Sequence, residues 1–285
     1  MRRSPMVVAL LAAALMVGGC GGGSSAAGSS TRPAGVPAAG VSPTIDRILQ
    51  NGYLKVGVMA GPPWLVQNPT GGTSAWSGPS WTLAQAVSKQ LGVPLKLVDV
   101  GDDTKVTSVQ TGQIDISITP LNETDKRKKV VDFITYSVDG YCWFALQSNN
   151  KVSSVADFNK GGIVDAEVSG GAEVSTLPTI WPNLKIMQYV AAPGEVYALE
   201  PVLSGRADIA GFDAPLVGQI QHQYPQLKFI PDPQTCIAKP LLPIQVGWAI
   251  RQGDPAFKSF LEGIEKPMQS QLDKETSDII AHLSS

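Results

Sequence analysis

The stretch Gln113–Phe133, QIDISITPLNETDKRKKVVDF, decides the reading of this chain. Ile114, Ile116 and Ile118 alternate with Asp115, Ser117 and Thr119, the two-residue period of a half-buried strand. Pro120 brings no N–H to a sheet ladder, so the strand is expected to stop there. Polar Asn122, Glu123 and Thr124 follow, then basic Lys126, Arg127, Lys128 and Lys129, and the chain turns apolar again at Val130, Val131 and Phe133. Hydroxyl and amide groups followed by a guanidinium, in a loop at a strand's carboxyl end, suit the grip of a small carboxylate. The guanidinium presents a planar fork of donors that matches two carboxylate oxygens. The three lysines read as a solvated face. For Arg127 the carboxylate and surface readings both stay open.

On either side of this stretch, strands alternate with helices. Tyr53–Val58 reads as a strand with Gly61-Pro62-Pro63-Trp64 as the loop at its end, Thr82–Leu91 as a helix stopped by Gly92, and Leu95–Val100 as the next strand. A short helix over Thr104–Thr111 ends at Gly112. The second half repeats the scheme: a strand over Ile163–Val168, a tight loop at Ser169-Gly170-Gly171-Ala172, and a helix from Glu173 until Pro178 intervenes. Then come a strand over Leu184–Tyr189 and a helix opened by Pro193-Gly194-Glu195. Val246–Ile250 reads as a late strand. Asp254-Pro255 then starts a helix whose stripe of Phe257, Phe260, Leu261 and Ile264 belongs to a core. This order implies an α/β fold with a parallel-rich sheet. An internal echo, Val109-Gln-Thr-Gly-Gln-Ile-Asp-Ile116 against Val202-Leu-Ser-Gly-Arg-Ala-Asp-Ile209, leads to Arg127 in one copy and Asp213 in the other. Two similar α/β lobes facing each other across a cleft are expected, with ligand held at the carboxyl ends of the strands.

The first twenty residues read as a leader. Arg2 and Arg3 precede an apolar run from Met6 to Val17, which ends in Val17-Gly18-Gly19-Cys20. The run is short for a membrane span. Gly21–Val41 is rich in Gly, Ser, Ala and Pro and reads as a flexible tether. A net charge of −2 gives no footprint for nucleic acid. Cys142 and Cys236 are the cysteines left besides Cys20. In an oxidising compartment they can pair, but nothing in the sequence shows them adjacent, so paired and free states both stay open. His222 and His282 sit in polar helical contexts, and no Ser/His/Asp set, metal-ligand set or cofactor motif is evident.

The segment Thr124–Phe133, T-x-x-R-K-K-x-V-D-F, resembles the signature of extracellular solute-binding proteins of family 3, the amino-acid receptors of ABC importers. So do Ile48-Leu-Gln-Asn-Gly-Tyr-Leu-Lys-Val-Gly-Val58, Leu203-Ser-Gly-Arg-Ala-Asp208 and Gly247-Trp-Ala-Ile-Arg-Gln-Gly-Asp254. Asn122 stands where the family has its first threonine, Pro120 where glycine is frequent, and Asp125-Lys126 where it has Pro-Glu. The C-terminal tail lacks the family's Lys-Trp-Phe ending. The Gly-Gly-Cys20 ending of the leader resembles a lipobox, which implies acylation of Cys20. The resemblance implies a two-lobed, type II periplasmic-binding-protein-like fold, with the leader at 1–20, the linker at 21–42, lobe 1 at 43–139, lobe 2 at 140–245 and a return to lobe 1 at 246–285.

Carried over residue by residue, the resemblance puts Arg127 on a ligand α-carboxylate and Asp213 on its α-ammonium. The backbone of Gly170, Gly171 and Ala172 closes on the carboxylate from the second lobe. The Pro120 carbonyl and the Asn122 side chain complete the ammonium's cradle. A plain helix-capping role is the other reading of Asp213. Trp64 is the expected wall against the ligand side chain, with Trp81 and Tyr136 as weaker aromatic candidates that also fit the core. Glu167 and Glu173 flank the second-lobe loop, where solvent-facing roles are expected, although either can select a basic ligand. The implied protein is a non-catalytic, monomeric lipoprotein on the outer side of the cell membrane. It would pass a free amino acid to an ABC permease and ATPase. A sensing receptor and a dehydratase-like enzyme, with Glu173 as its acid, are the alternatives.

Overall fold

The structure is a computed structural model that describes residues 32–68, 75–192 and 195–283. Cys20 and its leader, most of the tether, and the helix opening at Pro193-Gly194 therefore lie outside the described residues. Among these residues no helix is long and apolar enough to cross a membrane.

The folded body begins at Pro33, ahead of the expected start near Pro43. Residues 33–42 turn against the first lobe because Val36 packs on its core and Gln90 Nε2 donates to the Ala34 carbonyl. Ser42 then caps α1 (Pro43–Asn51). There follow β1 (Leu54–Val58), the two-residue ribbon strands β2 (Val66–Gln67) and β3 (Trp76–Ser77), α2 (Pro79–Leu91), β4 (Leu95–Asp99), α3 (Thr107–Gln110), β5 (Ile116–Asn122) and α4 (Asp125–Lys128). The long β6 (Asp132–Leu146) leads to β7 (Val164–Val168), α5 (Glu173–Ile180), β8 (Lys185–Tyr189), α6 (Leu199–Leu203), β9 (Ile209–Asp213), α7 (Val217–Gln223), β10 (Leu227–Ile230) and α8 (Pro233–Ala238). The chain returns through β11 (Leu241–Ile250) and closes with α9 (Pro255–Glu265) and α10 (Gln269–Leu283).

Nine strands form one sheet, in the order β4-β1-β5-β11-β6-β9-β7-β8, with β10 also on β6. β1 pairs in parallel with β4 and β5, and β7 pairs in parallel with β8 and β9. The two halves meet in β6 and β11. β6 pairs with β11 from Asp132 to Tyr141, and with β9 and β10 from Tyr141 to Leu146. Helices cover both faces of each half. Ile45, Leu83, Trp248 and Phe257 build the main first-lobe core; Phe144, Phe212 and Ile220 build one second-lobe core, and Trp143, Phe158 and Leu177 the other. α10 touches both lobes: Leu272 is buried in the first-lobe core, while Leu283 packs against the second.

Two expectations are corrected by this layout. β5 does not stop at Pro120; it continues to Asn122. A register shift in β11 between Gly247 and Ala249 lies opposite, so no ladder bond is required of Pro120. Nor is β5 half-exposed. It lies between β1 and β11 with both faces covered, so Asp115, Ser117 and Thr119 are buried and each finds a partner inside the protein. The Ser117 and Thr119 hydroxyls bond at 2.8 Å, and Asp115 takes Arg47 Nη1 at 2.6 Å and the Lys55 N–H at 2.8 Å.

Cys142 on β6 and Cys236 on α8 are joined by a disulfide, their Cα atoms 6.0 Å apart and both side chains fully buried. A cross-link closing a loop of 94 residues removes conformational freedom from the unfolded chain, worth on the order of 4 kcal/mol. Replacing both cysteines with alanine is expected to lower the urea midpoint accordingly while leaving ligand binding in place. A midpoint within error of the wild type would show that the cross-link contributes nothing.

Candidate functional site

The end of β5 and the single turn of α4 set the first-lobe side of the site. Thr124 caps that turn, its hydroxyl accepting the Arg127 N–H at 3.2 Å. The turn leaves Lys126, Lys128 and Lys129 exposed and aims Arg127 inward, 9% exposed. Arg127 Nη1 donates to the Asn122 carbonyl at 2.9 Å, and Nη2 donates across the cleft to the Gly170 carbonyl at 3.0 Å. Burial pulls the guanidinium's pKa down, opposed by the charges of Glu173, Tyr141, Asp102 and Asp213; an arginine stays cationic through such a shift.

The lobes touch where Gly170 meets the loop at 101–103. Gly170 has φ of +85°, and a Cβ there would lie 2.6 Å from the Asp102 carbonyl oxygen, so both the turn and the contact require glycine. Beneath this contact a cavity of about 80 Å³ is lined by Trp64, Pro120, Asn122 and Arg127 of the first lobe and by Gly171, Ala172 and Asp213 of the second, with Lys105, Glu167 and Glu173 beside them. A second cavity of about 540 Å³ adjoins it, sharing Met59, Ala60, Asp102 and Val168 as wall.

The expected residues fare differently. Trp64 is buried against the cavity and fixed by its indole N–H, which donates to Ser137 Oγ at 2.8 Å. Asn122 spends its amide on the Tyr141 hydroxyl. The Gly171 N–H is already bonded to the Val168 carbonyl at 2.9 Å, which takes one donor from the expected carboxylate clamp. Asp213 makes no capping bond to the turn that follows, which removes its capping alternative. Tyr136 and Trp81 are corrections: Tyr136 on β6 is buried in the first-lobe core, edge-on to Trp248, and Trp81 on α2 packs against that core, neither lining the cavity.

Glu167 and Glu173 are corrections of another kind, since neither faces bulk solvent. Glu167 is buried. Glu173 folds back over its own helix start, its Oε2 2.8 Å from where a Cβ on Gly171 would stand. That carboxyl fills the place a larger residue at 171 would claim. Burial, with Asp213 nearby, pushes its pKa up to about 7.

Several groups of the site carried no motif. Lys105 is buried and paired with Asp102 at 2.6 Å. Asp139, buried behind Asp213, has no donor on either oxygen. The two carboxyls are within hydrogen-bonding reach, and burial and the Asp213 charge hold Asp139 well above the usual carboxylate range. Burial also raises Asp213, while its hydrogen bond to Asp139 works the other way. Asp165, on β7 beneath Trp143, is pushed up to about 8 by burial, and Glu167 goes up with it through burial and the Asp165 charge. Two acids at alternate positions of a strand in a covered sheet are a readable anomaly. Among the described residues no cluster of His, Cys, Asp or Glu is arranged to hold a metal.

Together these residues form a closed, charged cleft at the carboxyl ends of β5, β7 and β9, the arrangement of a receptor for a small polar solute. The sequence pattern of the bacterial extracellular solute-binding proteins, family 3, matches residues 54–278, and the chain belongs to that family. An ancestral amino acid-binding protein, a precursor of cyclohexadienyl dehydratase, has a similar structure at 26% identity and a TM-score of 0.67, over 85% of this chain and 100% of that one. The arginine-bound form of a truncated arginine-binding protein from T. maritima is similar at 25% identity and a TM-score of 0.65, over 78% of this chain and 99% of that one. An amino acid ABC transporter substrate-binding protein from Streptococcus pneumoniae, bound to L-arginine, shares the fold at 21% identity, with a TM-score of 0.69 over 84% of this chain and 99% of that one. The comparison with curated proteins returns no match.

The raised carboxyls predict how the empty protein responds to pH. Folded, Asp165 and Glu173 keep protons up to about 8 and 7, whereas the unfolded chain releases them near 4. The folded state thus binds more protons, and stability falls as pH rises from about 4 to 8. Asp157, Asp232 and Asp254, whose pKa values are lowered, act only below that window. Urea denaturation at pH 5, 6.5 and 8 is expected to show a steady decline that Asp165→Asn makes shallower. A flat profile would mean that these carboxyls are ionised and solvated.

Proposed function

We propose that this protein is an extracytoplasmic, lipid-anchored receptor that captures a free α-amino acid between its lobes and delivers it to an ABC permease and ATPase. One observation carries the reading: Arg127, buried, and Asp213, partly buried, a base and an acid on opposite lobes, line the same small cavity. A zwitterion bridges them, its carboxylate on the Arg127 fork and its ammonium on Asp213, with Pro120 and Asn122 beside the ammonium and Trp64 against the side chain. Gly170 and Ala172 meet the carboxylate from the second lobe. Catalysis is not part of this reading, although Glu173, pushed to about 7 in the cleft, is the group a dehydratase would use as its acid.

Arg127→Ala is expected to abolish capture while Lys128→Ala barely alters it. Removing the buried arginine leaves a carboxylate unpaired, on the order of 3–5 kcal/mol or two to three decades of affinity. Lys128 is exposed and faces Glu123 at 3.5 Å, worth about 1 kcal/mol or less. Calorimetry on both variants, with melts as a check on folding and a search for product after long incubation, decides the matter. Equal losses would remove Arg127 from the clamp, and steady turnover would make the protein an enzyme.

Anchoring rests on Cys20. One acyl chain holds a protein only weakly, so several chains at the mature N-terminus are expected. Cys20→Ser should move the protein from the membrane fraction to the medium and remove the mass of the lipid. Unchanged retention and mass would reject the anchor.

A further inference from the structure

Asp165 and Glu167 sit two residues apart on β7, so their side chains leave the same face of the strand. Both are almost fully withdrawn from solvent, at 0% and 3% exposure. Trp143 Nε1 donates to Asp165 Oδ2 at 3.1 Å. Asp165 Oδ1 and Glu167 Oε1 have no hydrogen-bond partner among the described residues, and none of the ion pairs found there reaches either carboxyl. Glu167 also lines the cavity that holds Arg127 and Asp213. The neighbouring strand makes room for it: a Cβ on Gly211 would lie 2.5 Å from Glu167 Oε1.

A buried carboxyl pair with no cation is costly, and an amide or apolar pair of the same size would pack there more cheaply. The cost is recovered when a cation arrives from outside. Charge balance in the chamber points the same way. The α-groups of a bound amino acid match Arg127 and Asp213, and Lys105 is already matched by Asp102 at 2.6 Å. The acids left over are Asp139, which lies behind Asp213, and Asp165, Glu167 and Glu173.

We propose that Asp165 and Glu167 form the subsite for the positive end of the ligand's side chain, which makes the protein a receptor for cationic amino acids of the lysine, ornithine and arginine class. This inference rests on the amino-acid reading above and narrows it. Glu167 contacts the side-chain cation; Asp165 acts through Glu167, holding it in place and sharing its proton. A cation seated there drives that proton off the pair. A neutral side chain of the same shape does not.

The test is calorimetry on the full-length protein with L-arginine and with L-citrulline, its uncharged isostere. Arginine should bind at least about tenfold tighter, and Glu167→Gln should narrow the gap to within about threefold. Repeating the arginine titration at pH 7 in buffers of different ionisation enthalpy should show proton release, absent with citrulline and absent in the variant. If a neutral or acidic amino acid binds while arginine and lysine do not, or citrulline matches arginine on the wild type, the subsite is overturned and the amino-acid receptor stands. If no amino acid binds, both fall. The wild-type comparison decides the point even where the variant does not fold. Preserved discrimination and proton release in a folded Glu167→Gln protein would equally overturn the assignment.

Discussion

The antiparallel pairing of β6 with β11 is the constraint on which the rest of this molecule depends. These two strands carry the sheet from one lobe to the other, and every other strand of the nine-stranded sheet attaches on one side or the other of that junction. Because β5 joins through β11 and β9 joins through β6, their carboxyl ends are brought to the same cleft. Arg127 follows the first end and Asp213 closes the second. The irregular register along β11 belongs to the same arrangement, since it lets β5 run past Pro120 and carry Asn122 to the edge of the cavity.

Electrostatics in the cleft follow from crowding and burial. More carboxyl groups than cations face a small, poorly solvated space, and a low-dielectric interior does not support that many like charges. Protons settle the conflict unevenly. Burial raises Asp139, Asp165 and Glu167, and raises Asp213 as well against the hydrogen bond it shares with Asp139. Burial lowers the pKa of Arg127 against the charges of Glu173, Tyr141, Asp102 and Asp213, and the intrinsic basicity of a guanidinium keeps it cationic.

Local chemistry explains what could be read from the chain. Gly92 ends α2, Asp254 caps α9, and the repeated Gly–x–x–Asp turn before β5 and β9 announced two related lobes, because caps and turns act within a few residues. Arg127 was separable from its three lysine neighbours only by motif position, and the capped turn of α4 is what makes the distinction physical. Asp139, Lys105 and Asp102 were invisible, since their roles come from elements that meet only after folding. Tyr136 and Trp81 were ambiguous because an aromatic suits a core as well as a ligand wall. Glu167 was misjudged as solvent-facing, although its spacing from Asp165 on a strand of a covered sheet held the clue. The pairing of Cys142 with Cys236 is a tertiary fact with no local trace.

The last helix ends where it has a mechanical consequence. α10 is seated at one end on the first lobe, where Leu272 is buried and Gln269 donates to the Tyr136 carbonyl at 2.9 Å, and at the other on the second, where Leu283 packs. A helix packed on both lobes links them beyond the sheet. If the cleft opens, the helix must bend or release one seat, and re-exposing the apolar surface of that seat to water adds to the work of opening.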